Sequence, residues 1–291
     1  MTHHLMQPTK YYLRRRNSVR LQYRRLYQPN VFERVHVDFS HFGLTKSFFA
    51  YGYDLEVRPD EYDYYDARVW GRYRINPASM WHNAWISTDY RKPVAVDAGG
   101  GFWQWAEWGA HGQYANIGVI LRASDRLNFN ARLDWGNHHQ IGWAQTLNAD
   151  SVGMAMRHNR EFAQTLRAQY LFGPNSYLNL NLRHNWNRVH SLERFHLTET
   201  GQLQPTNAYA DPNLNVNLFN MDLKFVWWFA PGRELNLLYR ASLAKIDGAW
   251  DKKYLENLRG LQNEQSNQVV SLRLVYFLDY AEVVQNAKFK P

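Results

Sequence analysis

From Leu214 to Leu243 the chain alternates apolar and polar positions, turns once, and alternates again. Phe219, Met221, Leu223, Phe225, Trp227 and Phe229 take every second place, with Asn220, Asp222 and Lys224 between the first of them. Ala230-Pro231-Gly232-Arg233 follows, and then Leu235, Leu237, Tyr239, Ala241 and Leu243 take every second place again. A period of two puts one set of side chains on each face of a β-strand. Proline at the first central turn position and glycine at the second suit a type II turn, so the segment predicts a hairpin with one apolar face. The same alternation marks Val19–Tyr23, Val35–Phe39, Phe49–Val57, Tyr65–Ile75, Ala84–Tyr90, Ala115–Ala123, Leu127–Trp135, Phe162–Phe172, Leu178–Trp186 and Val270–Tyr280. It is poor in Ala95–Trp108, where the run Gly99-Gly100-Gly101 suggests a kink or bulge.

The connections alternate in length. Arg91–Pro93, Ser124-Asp125, Gly173–Asn175 and Ala230–Gly232 are tight; Trp108–Gln113, Gly136–Arg160, Val189–Asn213 and Ile246–Ser266 are long. Membrane barrels put short turns on the periplasmic side and long loops outside. The expected fold is therefore all-β, an antiparallel up-and-down transmembrane β-barrel of about 12–14 strands, or the C-terminal part of a larger barrel. Strands of about 10–14 residues are long enough to cross when tilted. A basic aromatic segment or partial first strand is expected over 1–30, the barrel over 31–280 and a tail over 281–291. Residues 1–16 show neither an apolar core nor a small-residue cleavage site, which sets them apart from a secretory signal and fits a piece of a longer exported chain.

Composition narrows the classes. The longest uninterrupted apolar run, Phe225 to Ala230, is six residues, far short of a spanning helix. Twelve Trp, nineteen Tyr and fifteen Phe are what a barrel needs for its interfacial girdles. Without cysteine there is no disulfide framework, thiolate metal cluster or catalytic thiol. The net charge of +8 is spread over alternating strands apart from Arg14–Arg16 and Arg24-Arg25, so no nucleic-acid partner is expected.

The opposite parity collects Asn128, Asn130, Arg132, Asp134, Thr165, Arg167, Gln169, Asn179, Asn181, Arg183, Asp222, Lys224, Arg240 and Arg273. These are the expected lumen-lining side chains of a hydrated or plugged interior. Glu61, Asp63 and Asp66 have the chemistry of a glycosidase carboxylate pair and equally that of a polar strand end. His138, His139 and His158 fall in one long connection and His184, His190 and His196 near another, at spacings that match no metal motif. They are expected as exposed loop histidines, with His184 at a strand end near the interface. Trp81, Trp85, Trp103, Trp105 and Trp108 suit sugar stacking or interfacial packing. No catalytic residue, metal ligand or cofactor site is expected.

Four segments carry a family resemblance: LRASDRLNFNARLDWGNHH, LRAQYLFGPNSYLNLNLRHNW, DPNLNVNLFNMDLKFVWWFAPGRELNLLYR and QVVSLRLVYFLDY. They resemble the C-terminal β-barrel region of domain-of-unknown-function family 5916. In that family a domain resembling family-nine carbohydrate-binding modules precedes an outer-membrane barrel. The resemblance implies an outer-membrane location, membrane lipid and the barrel assembly machinery as partners, and a tie to carbohydrate. It carries over no catalytic residue. The expected function is passage or surface handling of a polar solute such as oligosaccharide. The alternatives are a barrel anchoring a separate binding or enzymatic domain, and a soluble all-β carbohydrate-binding protein.

Overall fold

The computed structural model describes residues 2–5, 7–148 and 151–277. Its strands are β1 (Thr2–Leu5), β2 (Tyr12–Arg25), β3 (Phe32–Thr45), β4 (Ala50–Arg58), β5 (Glu61–Asp63), β6 (Arg74–Asn76), β7 (Ser79–Ser87), β8 (Val94–Trp105), β9 (His111–Arg122) and β10 (Leu127–Asn148). They continue as β11 (Ser151–Gly173), β12 (Ser176–Leu197), β13 (Leu203–Pro205), β14 (Leu214–Ala230), β15 (Arg233–Asp247) and β16 (Asn267–Tyr276), with one helix, α1 (Tyr254–Leu261). Thirteen strands form one antiparallel up-and-down sheet in the order β1-β2-β3-β4-β7-β8-β9-β10-β11-β12-β14-β15-β16. β13 pairs with β12 beside this path, and β5 and β6 form a separate ribbon. Among the described residues β1 and β16 do not pair, so the expected closed barrel is here an open sheet.

The opening hairpin is as read: Ala230 faces Arg233, and Gly232 takes φ +68°, a conformation that costs glycine little. The register turns the separate alternations into rows. Leu127, Tyr170, Leu178, Phe225, Leu237 and Leu272 line up across six strands, as do Phe129, Ala168, Leu180, Leu223, Tyr239 and Val270. This apolar face leaves large side chains uncovered from one edge of the sheet to the other: Leu21 is 71% exposed, Val37 42%, Ile117 44%, Leu237 42% and Leu272 68%.

The sequence reading needs correction at several places. Tyr65–Ile75 is not a sheet strand. Only Glu61–Asp63 and Arg74–Asn76 pair, and between them Arg68 and Gly71 take positive φ, which no extended strand accepts. Removing that strand leaves twelve long strands from β2 to β16, with β2 starting at the tight-turn end where β16 finishes. Ala95–Trp108 is not a kink: β8 pairs with β7 and β9 without a register shift. Its glycines serve close approach, since a Cβ on Gly100 would lie 2.7 Å from the Tyr114 carbonyl oxygen.

The long connections are mostly strand. β10 and β11 run 22 and 23 residues, and β12 runs 22. They absorb nearly all of Gly136–Arg160 and the first part of Val189–Asn213. The expected Leu278, Tyr280 and tail 281–291 lie outside the described residues.

Where β10–β12 outrun their neighbours, a core forms. Ile141, Val152, Met154, Met156, Phe195 and Leu197 are buried there with Ala67 and Ala110, against Trp103, Trp105 and Trp143. The insertion between β4 and β7 supplies Ala67, so it bridges from β7 to β12, five places along the sheet or about 24 Å at strand spacing. Arg72 donates to the Leu197 carbonyl oxygen, and the Ile75 amide donates to Gly201 at 2.8 Å.

α1 covers part of the apolar face. Its Tyr254 ring packs on Phe162, His184 and Trp186, and its hydroxyl accepts from Gln164. Asn217 and Asn215 connect sheet to helix. Asn217 takes a hydrogen bond from His184 (2.7 Å) and donates to the Asn257 backbone carbonyl (2.9 Å). Asn215 takes one from Trp186 (2.7 Å) and donates to Asn257 Oδ1 (3.0 Å). Burying amides is tolerable only when they are paired. Asn257→Ala is therefore expected to loosen the helix by about 1–3 kcal/mol, seen as faster trypsin cleavage within 248–266 while the sheet's circular dichroism is unchanged.

Candidate functional site

The face opposite the apolar rows is polar and itself ordered in rows. Asn130, Arg167, Asn181, Asp222 and Arg240 lie side by side on five strands, flanked by Asn128, Gln169, Asn179 and Lys224 on one side and Arg132, Thr165 and Arg183 on the other. Arg273 stands opposite Asn236 on the same face. Every residue expected to line a lumen therefore lies on a single face. Asp222 accepts from Arg240 Nε at 2.6 Å and from Arg183 Nη2 at 3.3 Å, and Arg132 pairs with Asp134 on its own strand at 2.6 Å. Several of these side chains edge a groove of about 630 Å³ that includes Asn128, Asn130, Arg167, Gln169, Asn179 and Asn181. A groove edged by amides and partly paired arginines offers many donors and acceptors, which suits a hydroxyl-rich or ionic solute.

A second sector of the same face holds Trp81, Trp85, Trp103 and Trp105, weighed above for sugar stacking but not counted among the lumen residues. One row runs Arg20, Asp38, Glu56, Trp81, Trp103, Gly112, His138 across seven strands. The adjacent row holds Arg58, Ser79 and Trp105. A Cβ on Gly52 would overlap the Trp85 indole, and one on Gly112 would overlap both Trp103 and His138. These glycines let the indoles lie over the backbone of the next strand, and the Trp103 and His138 rings are stacked at 10°. Glu56, Arg58, Arg74, Ser79, Trp81, Trp103, Trp105 and Gln140 line a cavity of about 380 Å³. Aromatic faces beside charged hydrogen-bonding groups are a combination that binds sugar rings. The available signal was the position of the tryptophans: Trp81, Trp85, Trp103 and Trp105 hold the polar parity, where anchoring residues are not needed.

Arg74 closes that cavity. It is buried, donates to the Ile141 carbonyl oxygen at 3.0 Å, pairs with Asp66 at 3.0 Å and lies over the Trp105 ring. The acidic trio of the sequence reading does not assemble into a hydrolytic pair. Asp63 caps the turn by accepting from the Tyr65 and Asp66 amides, Asp66 holds Arg74, and Glu61 accepts from Asn76.

Among the described residues one group of three ligand-type side chains brings its atoms within 4.8 Å: His36, Asp38 and Glu56. They are i, i+2 neighbours on β3 and the residue opposite on β4. Arg58 holds Glu56, and Arg20 lines the same cavity, so arginines already balance these carboxylates. The histidines expected in loops sit on strands instead. His184 is buried under α1 rather than at an interface, and His139, His158 and His190 share one cross-strand row with His111.

No curated protein matches the sequence. The chain belongs to the domain family described as domain of unknown function DUF5916, whose model matches residues 1–287.

Proposed function

We propose, taking membership of that family as the premise, that this sheet is the wall of an outer-membrane β-barrel that passes or handles a polar solute of the oligosaccharide class at the surface. The observation that carries the reading is the division of the two faces. Outside the part under α1, the apolar face leaves large side chains exposed from β2 to β16, where a water-soluble monomer keeps such patches small, while the opposite face carries the amide and arginine rows.

The aromatic residues support it with a dimension. On the apolar face exposed Trp135, in line with Phe162 and Trp186 beneath α1, marks one level. Tyr170, Phe172, Phe225, Trp227, Phe229 and Tyr276 mark another beside the tight turns, with ring contacts from 4.9 to 6.4 Å linking Tyr170 to Phe172, Phe172 to Phe225, Trp227 to Phe229 and Phe229 to Tyr276. From Phe162 to Phe172 is ten residues along β11. At about 3.3 Å per residue and a tilt near 40° that is roughly 25 Å, the height of the apolar band of an outer-membrane barrel. The free edges, β1–β2 and β16, are where the wall closes, on itself or through further strands. Left open, such edges invite aggregation.

The polar groove and the tryptophan cavity face the same way, so a solute would meet both. The test is flux of neutral oligosaccharides and of salt through liposomes carrying the purified chain. Sugar uptake above that of empty vesicles is the expected result, and a silent membrane with folded protein in it would overturn passage. Asp222→Asn removes the one carboxylate between Arg183 and Arg240. It is expected to shift the reversal potential in a salt gradient toward anion preference, because lumen charges set selectivity.

The second reading is an anchor barrel for a separate domain. It is favoured by the β4–β7 insertion, which Arg72 and Arg74 hold against the far strands and which would narrow the opening. Conductance that appears only when residues 64–72 are shortened would support the anchor.

A further inference from the structure

Four neighbouring strands carry a histidine at the same level. His111 on β9 faces His139 on β10, His139 faces His158 on β11, and His158 faces His190 on β12. The rings of His111 and His139 are 4.6 Å apart, and those of His139 and His158 are 4.3 Å apart. On β10–β12 the row lies beyond Trp135, Phe162 and Trp186 toward the long-strand end, and its side chains are exposed or half-buried. Nothing in the passage of a polar solute uses it. Packing does not require four imidazoles in line either, since a row of threonines or valines would pair as well across strands.

The hydrogen bonds give the row its chemistry. His111 Nδ1 lies 2.7 Å from the Gly109 carbonyl oxygen, which can only accept, so Nδ1 carries the proton and Nε2 is left with a free lone pair. His190 Nδ1 lies 3.0 Å from Asn213 Oδ1, which also accepts from the Ser191 amide. That oxygen must be the acceptor again, and His190 Nε2 is free. His158 Nε2 lies 2.5 Å from Asn137 Oδ1 and 3.3 Å from Arg160 Nε, which can only donate, so that nitrogen is engaged from two sides. Metal-ligating histidines are held as His111 and His190 are, one ring nitrogen donating to an oxygen acceptor and the other turned to the ion.

We propose that this row is a binding site for a borderline transition cation such as Zn²⁺, Ni²⁺ or Cu²⁺, held by two imidazoles of adjacent strands, with His139 common to the pairs His111–His139 and His139–His158. With metal–nitrogen bonds of about 2.0–2.1 Å, two imidazoles meeting an ion at a right angle have centroids roughly 4.5 Å apart, the spacing of these rings. The broad χ2 well of histidine lets the free nitrogens turn toward it without a change of rotamer. With two protein ligands the other positions belong to water or to a donor from an incoming solute. Imidazole selects these ions over Mg²⁺ and Ca²⁺, which prefer oxygen.

The test is Cu²⁺ titration of the full chain, folded in detergent micelles at pH 7.5, followed by electron paramagnetic resonance. It is done on a His3→Gln, His4→Gln background so that the sequence pair His3-His4 does not compete. The expected spectrum shows nitrogen superhyperfine structure from two imidazoles, lost on adding excess Zn²⁺. His139→Gln should weaken Cu²⁺ binding at least tenfold. His111→Gln, at the exposed end of the row, should weaken it less. His36→Gln, in the separate His36–Asp38–Glu56 cluster, should leave it unchanged. A parent spectrum without nitrogen coupling overturns the proposal, as does His139→Gln binding within threefold of the parent, or an equal loss in His36→Gln. Should His139→Gln not fold, binding by the folded His111→Gln indistinguishable from the parent's is counted against it.

Discussion

Arg74→Ala is expected to destabilise the loop-end core by about 3–5 kcal/mol, the cost of breaking a buried ion pair from one side. The guanidinium is 3% exposed and holds three things together: the Asp66 carboxylate, the Ile141 carbonyl on the edge that β10 leaves unpaired beyond β9, and the face of Trp105. Removing it leaves the Ile141 carbonyl without this donor and Asp66 without its cation. Arg74→Lys keeps the charge and loses the fork, so it should fall between the two, since a single ammonium cannot reach both oxygens in the same geometry. The loss should appear as a lower urea midpoint for the insertion, followed by Trp105 fluorescence and by protease cleavage within 64–72. The apolar band should keep its own transition, because strands outside this core share none of Arg74's contacts. A change within about 0.5 kcal/mol, the range of an ordinary surface substitution, would mean the insertion is not held through this residue.

The two-faced part of the sheet was legible in the sequence and its long-strand end was not, for a physical reason. In Leu127–Trp135 and Phe219–Phe229 one face has a single environment and the other a different one, so period two survives intact. Val152–Met156 is buried at five consecutive positions. Met154 lies in the core with the insertion, while Tyr209 lies against Gly153 on the other side. With both faces covered by protein there is no alternation to read, and the extension of β11 looks like a loop. β8 is hidden in another way. Glycine contributes nothing to a pattern, and Trp103 and Trp105 put large apolar surface on the polar face, reversing its sign. Tyr65–Ile75 errs in the opposite direction: its alternation is real in the letters, but positive φ at Arg68 and Gly71 folds the segment back.

The functional candidates divide along the same line. The lumen-type residues Asn130, Arg167, Asn181, Asp222 and Arg240 were readable because parity alone puts them on one face. The cavity of Glu56, Trp81, Trp103, Arg74 and Gln140 needs strands from four separate places in the chain plus the insertion. The histidine row needs an exact register across β9 to β12, since His111 and His190 are 79 positions apart in sequence. Registers that bulges shift, such as the one between Met156 and Arg157, are set by packing at the rim and leave little trace in composition.

A depth series across the apolar face decides between hydrocarbon and water as its solvent. Leu223 lies in the row of Ala168, Leu180 and Tyr239, about midway between the two aromatic levels; Trp227 lies in the level beside the tight turns. In a bilayer, Leu223→Arg should cost about 2–4 kcal/mol and Trp227→Arg about 0–1 kcal/mol beyond the loss of the ring's own contacts, because the penalty for a buried cation falls toward the interface. In water, arginine at either half-exposed position would stay within about 0.5 kcal/mol on charge alone. Leu223→Lys should behave like the arginine. Lys224→Leu, one residue along and on the polar face, should leave folding unchanged at either depth. The measurement is reversible urea unfolding in phospholipid vesicles, followed by tryptophan fluorescence and by the heat-sensitive gel mobility of folded barrels. Equal, small effects for Leu223→Arg and Trp227→Arg would leave the apolar rows without a membrane to explain them. A graded effect would tie the exposed rows of Leu, Val and Tyr, the aromatic levels and the polar groove behind them to one requirement, that every backbone group in hydrocarbon be paired and every outward side chain be soluble in it.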